Sequence, residues 1–113
     1  AEELGNAGWI EKRAVDDPKI EEVSLLAGLG KGESASLVLA ESLNADLLII
    51  DDLKARKFAQ NKNQPVIGIL GVLLFSKAND LIPEIKKPVD DLMAFGYWIS
   101  PNLYRKVLDA AGE

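Results

Sequence analysis

The chain has 113 residues, enough for one domain with a single core. It contains no cysteine and no histidine, which excludes disulfides, thiol nucleophiles, imidazole bases and zinc sites built on those ligands. The net charge of −5 opposes nucleic-acid binding by the molecule as a whole, so such binding needs a local basic patch or bound cations. Because 48% of the residues are hydrophobic and no apolar run is long enough to span a bilayer, the sequence predicts a cytosolic globular protein.

The predicted elements of the first half alternate between strands and helices. Residues 9–15 predict a strand or an extended connector. An acidic cap with Pro18 then begins a helix that ends at Gly28, and a second helix opens at Glu33. The continuous apolar run 47–50 is typical of a parallel strand that is buried on both faces.

The second half continues this alternation. A helix with an apolar side at residues 55–59 precedes a short strand at 65–68. Residues 69–78 are apolar nearly all round, so we expect a helix between two layers, and residues 83–95 predict another helix. Ser100 caps the last helix. The pattern as a whole predicts a three-layer α/β/α domain with a parallel sheet.

Two adjacent acidic residues follow the apolar run 47–50. In α/β sheets, ligands bind outside the carboxyl ends of the strands, which is where Asp51 and Asp52 stand. Two carboxylates at this place suit a hard divalent cation such as Mg²⁺ or Mn²⁺. The alternative is structural, since strand ends are often acidic and Asp52 would cap the helix that begins near Leu53.

Glu33 is a third candidate ligand, at the opening of a predicted helix after a glycine-rich turn. The helix dipole favours an acidic residue in this position whether or not it binds a metal. The glycines do not have the spacing of a phosphate-binding loop, and they follow a helix rather than a strand. Nucleotide binding is therefore not predicted here.

Two other sets of side chains suit contact with RNA. They are Lys54, Arg56 and Lys57 after the acidic pair, and the aromatic residues Trp9, Tyr97 and Trp98. Basic residues would neutralise phosphates, and aromatic rings would stack on bases. The alternatives are a solvated helix face for the basic set and core or interface positions for the aromatic set.

The combination of these segments resembles the PIN-domain family. The similarity is carried by Gly32 and Glu33 with Ala40, by residues 44–52, by Ala55 with Arg56, and by residues 65–74 and 96–100. The later segments resemble a prokaryotic branch of predicted nucleic-acid-binding PIN proteins, related to VapC-like toxins. The resemblance implies a single PIN-like domain over residues 1–113.

The same resemblance implies a metal-dependent ribonuclease. Glu33 and either Asp52 or Asp51 would be its catalytic acids and metal ligands, and Asp52 has a slightly better spacing to Ala55. The cofactor would be Mg²⁺ or Mn²⁺, which in such enzymes activates a water and stabilises the leaving oxygen of an RNA phosphodiester. Lys54, Arg56 and Lys57 would contact the RNA.

The sequence departs from the family pattern in two places. Family members begin with an apolar strand that ends in the first aspartate, and nothing in this sequence matches it. After the strand at 65–68, Gly68 and Ile69 stand where a fourth acid is expected. We therefore expect a domain incomplete at its N-terminus and a weak or inactive nuclease by itself.

A missing first strand also predicts association. One edge of the strand at 47–50 would be exposed, and exposed apolar edges recruit other chains. We expect a homo-oligomer or a complementing chain. The alternative function is a non-catalytic PIN-fold module that binds an antitoxin or another partner protein.

Overall fold

The computed structural model describes residues 7–113, so residues 1–6 of the predicted domain lie outside the described residues. In the described part, six α-helices and two short strands follow one another. They are α1 (Lys19–Ala27), α2 (Lys31–Leu43), β1 (Leu48–Ile49), α3 (Leu53–Asn61), β2 (Val66–Ile67), α4 (Ile69–Ala78), α5 (Lys86–Ala94) and α6 (Pro101–Ala110). The mixed helix and strand content confirms the α/β class, whereas the three-layer arrangement remains a prediction.

The two strands form a parallel pair, as the sequence predicts. Leu48 lies opposite Val66 and Ile49 lies opposite Ile67. The amide of Ile50 donates to the carbonyl of Ile67 at 2.9 Å. Helix α3 makes the crossover between the strands. Because parallel strands end at the same edge, the residues that follow β1 and β2 come together.

The helices of the first half begin and end where local chemistry requires it. Gly28 ends α1 in the left-handed region, at φ 65°, which glycine adopts without a steric penalty. Helix α2 begins at Lys31 rather than at Glu33, because the extended Gly30 already accepts the first helical hydrogen bond, from the amide of Ser34. Residues 10–17 contain no strand, so the connector alternative for residues 9–15 is the correct one.

Buried apolar residues form two separate clusters. We call the first the sheet core; it consists of Val23, Leu29, Leu37, Val38, Ile50, Ala55 and Ala59. We call the second the helical core; it consists of Ile85, Val89, Ile99 and Val107. Helix α4 packs against the helical core through Leu70, Leu73 and Leu74.

Helix α4 is less deeply buried than the sequence predicts for a helix between two layers. None of its residues is buried, and Phe75 is exposed. The helix packs on the helical core, and its Gly71 lies close to the Ile67 side chain of β2. Its uniform apolarity gave no information about which side would be covered.

Strand β1 is also less covered than its sequence predicts. Leu48 packs against the sheet core, but Ile49 is 60% exposed and Leu47 is 51% exposed. Within residues 7–113, β1 pairs with β2 alone, which leaves its other edge without a backbone partner. The expectation of burial on both faces was therefore wrong, whereas an unpaired edge on this strand was expected.

The helical core is closed by polar contacts at the end of the chain. Glu113 accepts hydrogen bonds from the Lys77 ammonium at 2.8 Å and from the amide of Ile85 at 2.8 Å. Asp90 of α5 accepts from the Tyr104 hydroxyl of α6 at 2.8 Å. These contacts join α4, α5 and α6.

No single helix among the described residues combines the length and apolar composition needed to cross a membrane. Helices α1 and α2 meet those criteria only when taken together, and they are bent by 118° relative to each other.

Candidate functional site

The carboxyl ends of the two strands bring a carboxylate, a guanidinium and a helix N-terminus together. Asp51 follows β1, and its Oδ1 accepts a hydrogen bond from the amide of Ile69 at 2.9 Å. Gly68 is buried at this point and is the N-cap of α4. A Cβ atom at Gly68 would lie 2.8 Å from Asp51 Oδ1 and 2.9 Å from Arg56 Nη1. Only glycine therefore permits this approach of Asp51 and Arg56 without a displacement.

Tyr97 reaches the same place from the second half of the chain. Its pKa is raised first by burial and then by the nearby Asp51 carboxylate. The guanidinium of Arg56 acts in the opposite direction on the pKa of Tyr97. Tyr97 also packs on the helical core, so it places an aromatic ring of that core near Asp51.

Arg56 has one N–H group at this site that makes no hydrogen bond within the described residues. Its Nε atom is buried and has no hydrogen-bond partner in the part of the chain that the structure describes. A buried donor without a partner costs about 1–3 kcal/mol, so it calls for a functional or structural explanation. Arg56 is thus a cation placed beside Asp51, with an unused N–H group.

Asp52 has the capping role that was one of its two interpretations. One carboxylate oxygen, Oδ1, accepts a hydrogen bond from the amide of Ala55 at 2.9 Å, which caps α3. Asp52 is exposed to solvent. The cap is confirmed, and the metal-binding role of Asp52 remains a prediction.

Glu33 lies in the first turn of α2 and is half-buried. Its Oε2 would lie 2.8 Å from a Cβ atom at Gly30, so the carboxylate is turned back toward the start of its own helix. The positive end of the helix dipole favours a negative charge there. The role of Glu33 as a metal ligand also remains a prediction.

A family model described as a PIN domain matches residues 1–113. The chain belongs to the PIN-domain family. The resemblance found in the sequence is therefore confirmed at the level of the family, and this family indicates a nuclease or a nucleic-acid-related function. No curated protein and no solved structure matches the chain.

The described carboxylates of this PIN domain do not form a complete metal site. Among residues 7–113, no three side chains of the Asp, Glu, His or Cys types come together as potential ligands of one metal ion. Asp51, Asp52 and Glu33 each have a separate local role, in a hydrogen bond to Ile69, in a cap and at a helix start. A hard divalent cation would need at least one oxygen ligand beyond those that are assembled here.

Some of the residues predicted to contact nucleic acid lie on the exposed surface, and others lie near Asp51. Lys54 and Lys57 are exposed on α3, whereas Arg56 is half-buried beside Asp51. Trp98 is exposed, whereas Tyr97 is half-buried and lies near Asp51. Gly68 had no predicted role beyond the absence of an acid at its position. A glycine between a strand and a helix was the signal that the backbone approaches another group closely.

Proposed function

We propose that this PIN domain is a metal-dependent ribonuclease of the VapC-like toxin kind, with weak or no activity when alone. The observation that supports the proposal is the position of Asp51. It stands at the carboxyl edge of a parallel sheet, beside the cationic Arg56 and the N-terminus of α4. Such an edge is where α/β folds bind their ligands.

In this proposal, Glu33 and Asp51 or Asp52 would be ligands of Mg²⁺ or Mn²⁺. The bound ion would supply charge neutralisation and an activated water for hydrolysis of an RNA phosphodiester. The guanidinium of Arg56 would contact a phosphate of the RNA. The exposed Lys54 and Lys57 would contact the RNA backbone without reading its sequence.

The weak activity follows from the incomplete ligand set. We propose that the free edge of β1, with Leu47 and Ile49 exposed, receives a further strand that also brings a carboxylate. Edge pairing satisfies the unpaired amides and carbonyls of the strand and covers its apolar side chains. A second copy of the chain would cover this edge in a homo-oligomer, and a complementing chain would also supply the carboxylate.

Cleavage of an unstructured RNA in Mn²⁺ or Mg²⁺ tests the nuclease proposal. The measurement compares the wild-type chain with Glu33→Gln, Asp51→Asn and Asp52→Asn, because each amide variant keeps an oxygen acceptor and loses the charge. We expect slow cleavage that EDTA and Glu33→Gln abolish, together with one of the two aspartate variants. Glu41→Gln, exposed on the same helix α2, is the matched control. Cleavage that persists in Glu33→Gln and in both aspartate variants rejects the proposal.

The second candidate is a non-catalytic PIN-fold module that binds an antitoxin or another protein. It is favoured by the same lack of a three-ligand cluster within the described residues and by the exposed apolar edge of β1. Under this alternative, no metal produces cleavage at any protein concentration. Light scattering tests the association, because Ile49→Lys places a charge on the edge and should convert an oligomer into a monomer. A wild-type chain that is monomeric at high concentration argues against self-association.

A further inference from the structure

The carboxylate of Asp51 faces two sources of positive charge within the chain. Its Oδ1 accepts a hydrogen bond from the amide of Ile69 in the first turn of α4. The N-terminus of a helix carries about half of a positive elementary charge. The second source is Arg56, since Asp51 Oδ1 and Arg56 Nη1 both lie within 2.9 Å of the position that a Cβ of Gly68 would take. The negative charge of Asp51 is therefore compensated in part by the chain itself.

Arg56 is kept beside Asp51 at a cost in stability. Its Nε atom is buried and has no hydrogen-bond partner within residues 7–113, which is unfavourable for a donor. In the same part of the chain, Asp51 and Arg56 do not form a direct ion pair. Saturated hydrogen bonding therefore does not explain the position of the guanidinium. What this position provides is a fixed positive charge near Asp51.

The same geometry excludes an acidic side chain at the end of β2. A Cβ atom at Gly68 would overlap Asp51 and Arg56 at the same time. The next residue, Ile69, is apolar and donates its amide to Asp51. The place where the family pattern predicts a fourth acid thus has no room for a side chain while Arg56 remains there. A missing negative charge and an added positive charge both oppose the binding of a cation.

We propose that the guanidinium of Arg56 is a built-in cation that takes the place of a metal ion beside Asp51, so that Asp51 does not bind a divalent cation. The inference rests on the proposed function and selects between the two aspartates that this function leaves open. The ligand that acts with Glu33 would be Asp52. Asp52 is exposed, and the cap to Ala55 uses its Oδ1, so a cation can approach the other oxygen.

Binding of Mn²⁺ to the intact chain, measured by isothermal titration calorimetry, tests the role of Arg56. Arg56→Gln removes the charge and keeps a polar side chain. Because Arg56 is half-buried, water screens its charge incompletely, and we expect Arg56→Gln to bind Mn²⁺ on the order of ten-fold more tightly than the wild type. Arg56→Lys keeps the charge and should match the wild type. Lys62→Gln removes the same charge at the opposite end of α3 and is the matched control.

Nuclear magnetic resonance locates the Mn²⁺ bound by Arg56→Gln. The paramagnetic ion broadens the signals of nearby amides, and the amide of Ile69 is hydrogen-bonded to Asp51. We expect broadening of the Ile69 signal in Arg56→Gln. The broadening and the added affinity should both disappear when Asp51→Asn is combined with Arg56→Gln.

A second measurement does not depend on the folding of any Arg56 variant. Asp51→Asn in the wild-type chain keeps an oxygen acceptor for the Ile69 amide and loses the charge. We expect it to leave the Mn²⁺ affinity unchanged, whereas Asp52→Asn should lower that affinity. Circular dichroism checks the fold of each variant. If Arg56→Gln does not fold, the comparison of Asp51→Asn with the wild type decides the proposal.

Two results would overturn the role of Arg56. One is Mn²⁺ binding by Arg56→Gln that is no tighter than in the wild type, and the other is a loss of Mn²⁺ affinity in Asp51→Asn. Failure of the nuclease is distinguishable from both. If Mn²⁺ produces no RNA cleavage, the nuclease is rejected, and tighter binding by Arg56→Gln still supports the built-in cation. If Asp51→Asn abolishes cleavage and Asp52→Asn does not, the built-in cation is rejected and the nuclease stands.

Discussion

The sheet core and the helical core differ in how completely they enclose their apolar residues. In the helical core, Ile85 and Val89 are fully buried. In the sheet core, the most deeply buried apolar residues are Ala55 and Ala59, while Ile49 of the strand itself is exposed. The two large apolar side chains with no exposed surface, Ile85 and Val89, thus lie in the half of the molecule that carries none of the predicted metal ligands.

The two halves therefore differ in role: the helical core stabilises the fold, and the sheet half carries the candidate site residues. The helical core is closed by contacts of its own, from Glu113 to α4 and α5 and from Asp90 to α6. The sheet core carries Glu33, Asp51 and Asp52 but leaves one strand edge open. Under the proposed function, the chemistry depends on what covers that edge. The helical core would supply a stable base and, through Tyr97, a contact to Asp51.

The largest effect on this comparison is expected from Ile85→Ala. Ile85 has no exposed surface, so truncation removes buried methyl groups and leaves a cavity, at a cost of about 2–5 kcal/mol. Leu25→Ala, at an exposed position of α1, should change stability by less than about 0.5 kcal/mol. Urea unfolding followed by circular dichroism measures both. Equal effects of the two substitutions would show that Ile85 is not enclosed by the helical core.

Gly68→Ala tests the contact between the two halves. The added Cβ must displace the Asp51 carboxylate or Arg56, so we expect a loss of about 1–3 kcal/mol, as for other overpacking substitutions. The amide signal of Ile69 should also shift, because its acceptor moves. Gly32→Ala in α2 has open space around its Cβ and should stabilise the chain by about 0.4–1 kcal/mol. If Gly68→Ala is neutral or stabilising, the close approach at Asp51 is not real.

The two caps allow a matched comparison of the halves. Asp52 caps α3 beside the sheet core, and Ser100 caps α6 beside the helical core. Replacement of either residue by alanine should cost about 1 kcal/mol, because an amide loses its acceptor. Asp52→Asn keeps the acceptor and should be close to the wild type in thermal unfolding. A cost for Ser100→Ala alone would indicate that the sheet half is already unfolded when the helical half melts.

The smallest effect is expected at Glu113 and depends on pH. Hydrogen bonds from Lys77 and from the amide of Ile85 lower the pKa of Glu113 below its ordinary value of 4.5. A carboxyl whose folded pKa is lowered contributes stability above its unfolded pKa, and this contribution is lost as pH falls through the folded pKa. Glu113→Gln should therefore lower the midpoint of thermal unfolding at neutral pH.

The difference between Glu113→Gln and the wild type should shrink in acid below about pH 4.5, where the carboxyl of the unfolded chain becomes protonated. Glu84→Gln, at an exposed position near the start of α5, is the control. A difference from the wild type that stays constant from neutral to acid pH would show that the Glu113 contacts do not depend on its charge.

Local chemistry made several parts of the fold predictable from the sequence. Gly28 ends α1, Ser100 caps α6, and the run 69–78 is a helix with the predicted bounds. Each depends on a backbone conformation or a hydrogen bond within a few residues. The parallel pairing of β1 and β2 was also predictable, because a helix of suitable length separates two apolar runs.

The candidate site was predicted less completely. The sequence indicated Asp51 and Asp52 at the strand end but did not show how their roles differ. In the structure, Asp51 accepts a hydrogen bond from the amide of Ile69, and Asp52 accepts one from the amide of Ala55. Tyr97 was noted as an aromatic residue, without any connection to Asp51. That connection joins residues far apart in the chain, so it depends on how the two halves pack.

The sequence by itself determined the family, the helix ends and the parallel strand pair, because these depend on residue type and short-range spacing. The tertiary structure alone decided which apolar residues are covered, how Gly68 brings Asp51 to Arg56, and that Trp98 faces outward beside Tyr97. The physical reason is that an apolar pattern identifies a side that gains from burial, but packing between distant segments determines whether anything covers it.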